Sequence, residues 1–470
     1  MLQLPFLHQK TPYLRLGRVR NRLFAPAFSI PYAALRAHMH VIGRSGRGKS
    51  KALEAIVCQH IANRFGCGLI DPHAVLIDDL LRNLLSQGVL DDPALRDRIV
   101  YVDPTRTDYV IPFNVLATDD EPYRVMASIL EAFRRTFPTL KEAPHFENLM
   151  THALLVLIRN RRTLIDLERL LVDAEWRDAL LMRAGEPQLT RFFHERYDQW
   201  GKDAPLMRES TLNKVTAFSI NPYLRLMLGQ PDNALDLKRI MDEGQILLLN
   251  LGHLDVETNR LLGSLVMTSF ELAMRRRENT QLWPLTIDEF AQYMASEGSV
   301  TTLAHLLSEA RKFGLGLCIS HQTLSQLTPR MLGALGNTDT RMIFGVDRFD
   351  AEYLAKVVGR VDTEAVKREP MTDNQYELFS PTQEQWEGWY DLLRFQPPRQ
   401  AMVMTGDHAA ISITTLPIPR YKSSDDQLEA FRSESAKRHG VALAEARCRL
   451  SRLTEQPQAT ASVPEYVAIS

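Results

Sequence analysis

Apolar residues arrive in two rhythms along this chain. Short unbroken runs at 38–43, 66–71, 98–103, 245–251, 283–288, 314–320 and 341–346 predict buried strands. Between most of them, apolar positions recur every three or four residues. That spacing predicts helices over 74–87, 259–277, 301–312 and 351–358. Strands alternating with amphipathic helices make an α/β protein with a mostly parallel sheet. From 120 to 240 the strand rhythm stops. Helical spacing then covers 122–137, 146–159, 164–173, 176–184, 186–199, 209–219 and 234–241. These residues predict an all-helical insertion between early and late strands of one sheet. Past 360 the pattern weakens. Runs at 400–405 and 410–415, joined through Gly406-Asp407, predict a β-hairpin, and 424–453 predict a polar helical stretch. Residues 455–470 are rich in Pro, Ala, Ser, Thr and Gln and predict disorder. The expected organisation is therefore a lead-in over 1–35, an α/β unit over 36–119 and 241–420, a helical insertion over 120–240, and a tail over 421–470.

Composition narrows the class. The 470 residues favour two or three domains, and 45% apolar with 24% charged residues is the balance of a globular protein. The formal net charge of −1 rules out a polycation, so any nucleic-acid contact must come from local patches. One small basic cluster, Arg15, Arg18, Arg20 and Arg22, lies in the lead-in and suits a solvated edge or loop as well as a nucleic-acid contact. Cys58, Cys67, Cys318 and Cys448 form no CxxC pair and read as reduced thiols in a cytosolic protein, not as a metal site. No apolar run approaches the roughly 20 residues of a membrane-crossing helix, and residues 1–8 lack the form of a signal peptide.

The chemistry concentrates in one octapeptide, Gly43-Arg44-Ser45-Gly46-Arg47-Gly48-Lys49-Ser50. It joins an expected strand to an expected helix, the context a phosphate-binding P-loop requires. Glycines let the backbone curl so that several N–H groups aim at one anion, and a helix N-terminus adds partial positive charge there. Lys49 is expected on the β- and γ-phosphates of ATP and Ser50 on Mg²⁺. Three apolar runs end in aspartate, Asp71, Asp103 and Asp288, and only Asp288 is followed by a second acid, Glu289. Ligands bind at the carboxyl ends of strands in open parallel sheets. Asp288 is thus a candidate for holding hydrated Mg²⁺, and Glu289 for polarising the attacking water. The next run ends in His321-Gln322, where Gln322 is placed to contact the γ-phosphate or that water. Asp71 either caps the following helix or lines the site. Arg311, with Arg341 second, is a candidate for reaching a neighbouring subunit's γ-phosphate, and a cation in a helix's last turn is its bland alternative.

These segments, together with Leu69-Ile70-Asp71-Pro72-His73, 244–251 and 308–314, occur in an order that resembles the HerA/FtsK superfamily of P-loop ATPases. More narrowly they are similar to the TraG/TraD-type coupling proteins of type IV secretion. The resemblance covers about 36–415 and includes the helical insertion. It implies a RecA-like core, a homo-hexameric ring and ATP-driven movement of DNA through a central channel. It also implies secretion-system or relaxase-like protein partners, and it carries Lys49, Ser50, Asp288, Glu289 and Gln322 into nucleotide roles, with Arg311 a weaker match. Membrane-bound coupling proteins begin with transmembrane helices, which this sequence lacks. That departure points to a cytoplasmic protein without direct membrane insertion, brought to a membrane, if at all, by a partner. The rival reading is a nucleotide-switched recruitment ATPase whose helical insertion binds proteins and which moves no DNA. A degenerate, non-hydrolysing member is disfavoured by the intact Lys49, Ser50, Asp288 and Glu289.

Overall fold

The computed structural model describes residues 13–20, 25–137, 144–200, 209, 211–213, 219–294, 305–364, 381–406, 408–418 and 420–455. The strands, in chain order, are β1 (Tyr13–Val19), β2 (Ala27–Pro31), β3 (Met39–Ile42), β4 (Cys67–Asp71), β5 (Ile99–Val102), β6 (Tyr109–Val110) and β7 (Ile246–Asn250). There follow β8 (Trp283–Ile287), β9 (Leu315–His321), β10 (Thr340–Ile343), β11 (Gln400–Thr405), β12 (Ile411–Thr415) and β13 (Val441–Ala442). Eleven of them form one sheet in the order β2-β1-β12-β11-β10-β3-β9-β8-β4-β7-β5. The stretch from β10 to β5 is parallel throughout, and β11, β12, β1 and β2 join antiparallel. All seven expected strands are there, within a residue at each end except that β10 stops three residues short of the expected 346, and so is the hairpin.

The parallel strands are apolar runs because helices cover both faces. On one face, α1 (Lys49–Ala62) and α2 (Val75–Ser86) bury Leu53, Val57 and Leu80 against Leu69, Tyr101 and Leu248. On the other, Ile129, Phe133, Leu154 and Phe193 share a single apolar cluster with Ile70, Val102, Leu249 and Ile287. The helical region between β6 and β7 therefore packs on the sheet through a continuous core. Its helices begin on recognisable caps. Glu121 accepts from the N–H groups of Tyr123 and Arg124 ahead of Pro122–Thr136, and Asp173 accepts from the Trp176 N–H ahead of Ala174–Ala184, which ends at Gly185 with φ +64°. A third cluster joins Ile42, Ile343 and Met402 to Leu354 and Leu393.

Four features differ from expectation. Residues 13–31 are not a mere lead-in: β1 and β2 extend the sheet. The helix expected over 186–199 is a short α-turn, Pro187–Arg191, followed by a π-helical turn, Phe192–Tyr197. Helices at Pro222–Leu228 and Thr382–Arg394 were not foreseen. The expected polar stretch splits into Asp425–His439 and Leu443–Glu455. Most of 209–219, the start of the helix expected over 301–312, and residues 456–470 lie outside the described residues. Among the described residues no helix is long and apolar enough to cross a membrane.

Candidate nucleotide site

The octapeptide leaves the buried strand β3 and enters α1 directly. Gly43 lies so close to Phe344 that an added Cβ would stand 2.5 Å from the Phe344 Cβ. Gly46 and Gly48 take φ of +76° and +99°, the left-handed backbone that glycine adopts without strain. Gly48 is also the N-cap of α1 and supplies no side-chain cap. The turn is walled from outside. The Arg44 N–H donates to Gly345 O (3.0 Å) and the Arg399 N–H to Arg47 O (2.8 Å). The guanidinium groups of Arg44 and Arg47 donate to Arg394 O and Gln396 O. Ser45, Gly46 and Ser50 remain exposed while Lys49 is buried.

Sheet order brings the acids to this turn. β9 lies between β3 and β8, so residues that close β8 and β9 converge beside the P-loop. Lys49 Nζ donates to Glu289 Oε1 at 2.8 Å and to Asp288 Oδ1 at 3.3 Å. Ser320 Oγ donates to the same Asp288 oxygen at 2.7 Å, and Gln322 Nε2 donates to Glu289 Oε1 at 3.0 Å. One buried ammonium between two buried carboxylates leaves a net negative charge, a setting that suits a divalent cation. Glu289 has φ +44°, a strained conformation for a residue with a Cβ. The turn there lets the chain leave β8 sideways, with the Phe290 N–H donating to Ser320 O.

The remaining candidates sort by position. Asp71, at the end of β4, is fully buried and accepts from the N–H groups of His73 (2.8 Å) and Ile77 (2.9 Å), binding it to the start of α2. Burial raises its carboxyl above the usual range, the two N–H groups oppose that, and the nearby Asp288 charge adds to it. Asp71 thus does the capping work expected of it while facing the acid pair. Asp103 is held by Thr105 and Tyr101, away from Lys49's partners. Arg311 is exposed in the turn Ala310–Phe313 that precedes β9, at the opposite end of that strand from His321, and so not at its own subunit's P-loop. Arg341, in β10, donates to Gly336 O. Burial pushes the Cys58, Cys67 and Cys318 thiols up to about 12, and the described residues hold no metal-ligating cluster. Sequence reasoning missed Ser320 and the Arg399 wall, because each is defined by a cross-strand or long-range neighbour and not by a local pattern.

Comparison with known proteins adds a fold and a part of a family. Residues 284–389 match the family model described as the TraM recognition site of TraD and TraG. The unbound bacterial conjugative coupling protein TrwBdeltaN70 superposes with a TM-score of 0.59 at 17% identity, over 88% of this chain and 97% of that one. This chain has the coupling-protein fold. Plasmid coupling protein TrwB in complex with ADP and Mg²⁺ gives 0.57 at 16% identity, over 87% and 96%. VirB4 of Thermoanaerobacter pseudethanolicus gives 0.56 at 14%, over 86% and 97%. Comparison with curated proteins returns no match. In this chain the P-loop follows β3, the central strand of the eleven.

Proposed function

We propose that this chain is a Mg²⁺-dependent ATPase of the coupling-protein type, a motor that assembles as a ring and drives DNA movement. The observation that carries the reading is the set Lys49, Asp288, Glu289 and Gln322, held within hydrogen-bond reach at the carboxyl ends of adjacent parallel strands. The left-handed glycines and the uncapped start of α1 fit a polyphosphate, and the negative acid pair fits a cation. A TrwB structure with the non-hydrolysable ATP analogue ADPNP supports ATP as the nucleotide.

In this reading the backbone of 43–48 and Lys49 bind the phosphates, and Ser50 with Asp288 holds Mg²⁺. When bound, Mg²⁺ neutralises phosphate charge that grows in the transition state. Glu289 orients the attacking water and takes its proton, while Gln322, now bonded to Glu289, steadies that carboxylate or passes its amide to the water. Arg311 is the proposed contribution of a neighbouring copy. The acid pair performs the chemistry, and the helical region over 120–240 sets what is moved.

The test is steady-state ATP hydrolysis with and without single- and double-stranded DNA. Stimulation by DNA that disappears in Lys49→Ala and Glu289→Gln supports the motor. Full activity in both variants overturns the site. A second reading, nucleotide-switched protein recruitment, is favoured by the match of 284–389 to a partner-recognition family. It expects hydrolysis indifferent to DNA and responsive to an accessory protein.

A further inference from the structure

Two buried histidines stand behind the acid pair, and the nucleotide chemistry uses neither directly. His40 lies in the P-loop strand β3 and His321 at the end of β9, one residue before Gln322. Their rings stack with centroids 4.9 Å apart and planes 11° from parallel, and the two Nε2 atoms are 2.7 Å apart. His321 Nδ1 lies 3.0 Å from Thr323 O.

These contacts fix the protons. A carbonyl oxygen only accepts, so His321 Nδ1 carries a hydrogen. Burial holds both rings below the ordinary histidine range, which keeps them neutral near pH 7. The Nε2 of His321 is then bare and must accept, so His40 carries its hydrogen on Nε2 and donates. The resulting relay runs from His40 Nε2–H to His321 Nε2, and from His321 Nδ1–H to Thr323 O.

The relay brackets Gln322. His321 and Thr323 flank it, and the ring of the first pins the carbonyl of the second. The N–H groups of Gln322 and Thr323 both donate to Gln326 Oε1 at 3.3 Å. The main chain of His321 also reaches forward, where its carbonyl accepts from the Gly43 N–H at the start of the P-loop (3.4 Å).

We infer that His40 is a positioning residue for ATP hydrolysis, which fixes through His321 the turn that aims Gln322 at Glu289. The inference rests on the ATPase reading above. It separates two properties of the site: phosphate binding belongs to the P-loop backbone and Lys49, whereas the aim of Gln322 belongs to the histidine pair.

The experiment compares kcat and KM for ATP in wild type, Lys49→Ala, His40→Leu and His40→Gln. Leucine keeps the bulk of the ring but gives His321 no donor, whereas glutamine places an amide N–H near the lost Nε2–H. The expected result is a kcat lowered at least about tenfold in His40→Leu, with KM unchanged within about twofold and most of kcat restored in His40→Gln. Unchanged kcat in His40→Leu, or equal losses in both variants, overturns the positioning role. If wild type hydrolyses ATP no faster than Lys49→Ala, the ATPase reading fails first and takes this role with it. Should His40→Leu not fold, ¹⁵N-histidine NMR of the wild-type protein decides, with the His321 signal assigned by its loss in His321→Gln. A His321 protonated on Nδ1 and bare on Nε2 supports the relay; the opposite tautomer, or an imidazolium at neutral pH, overturns it.

Discussion

The parallel block from β10 to β5 and the antiparallel block β11-β12-β1-β2 belong to one sheet but bury their residues differently. β3, β4, β5, β7, β8 and β9 are buried at every position. β1 and β2 mix buried, partly buried and exposed positions, and β12 mixes buried with partly buried ones. Helices lie over both faces of the first block, so its strands have nowhere to display polar side chains except their tips. That is where Asp71, Asp288, Glu289 and Gln322 stand. The second block meets the site only from outside, where Arg399, just ahead of β11, closes the P-loop turn and in turn accepts from the Thr415 N–H. The candidate site is confined to the strand tips of the first block, and the second contributes support.

The sharpest test of that division is Lys49→Ala, which removes the cation at the tips. It should lower kcat/KM for ATP by more than about a thousandfold. Glu289→Gln should follow, with kcat down about a hundredfold or more and nucleotide binding retained, as seen by calorimetric titration. The antiparallel block should answer in the opposite currency. An added Cβ at Gly17, beside the irregularity in the β1–β2 pairing, would stand 2.2 Å from Thr414 O. Gly17→Ala should therefore cost about 1–3 kcal/mol by denaturant unfolding, with kcat of the folded fraction unchanged. A matching loss of kcat would break the comparison.

A pH-dependent effect is expected where the blocks meet. Asp350, in the helix after β10, accepts the Leu324 N–H with both carboxylate oxygens at 3.1 Å. Burial raises its pKa from 3.8 to about 6. The folded state thus holds a proton that the unfolded state releases, so this group's contribution to stability is greatest below pH 3.8 and declines as the pH rises to about 6. Asp350→Asn should flatten that slope, a change of about 2 kcal/mol between pH 4 and 7. A slope identical to wild type would show that Asp350 is ionised throughout.

The same contrast explains what was legible in the sequence. Strands covered on both faces are apolar runs, so all seven parallel strands showed themselves, as did the P-loop and the Asp288-Glu289 pair. β1 and β2 did not. β1 mixes arginines with apolar positions, β2 is five residues ending in proline, and the partner of β1 is β12, some four hundred residues along the chain. The helix Thr382–Arg394 went unread although Trp386, Trp389, Tyr390 and Leu393 recur at helical spacing; they pack on the third cluster, and only Leu393 is fully buried. Within the site, residue types were legible and neighbours were not. Ser320 meets Asp288, and His40 meets His321, because β9 inserts between β3 and β8, and nothing local in those segments announces that order.

The far edge of the sheet has a different implication. Ser435 Oγ accepts from the Tyr101 N–H (3.1 Å) and donates to Ile99 O (2.8 Å), so a side chain of the helix Asp425–His439 stands in for a neighbour strand along β5. On the other side the β1–β2 pair waits for β12, through which it joins the sheet. The cover on β5 and the junction with β1 are thus both supplied by segments made late in translation. At typical ribosome speeds about 20 seconds or more separate the emergence of β1 from that of its partner. During that interval the nascent protein holds open strand edges, and its dependence on chaperones should be decided there.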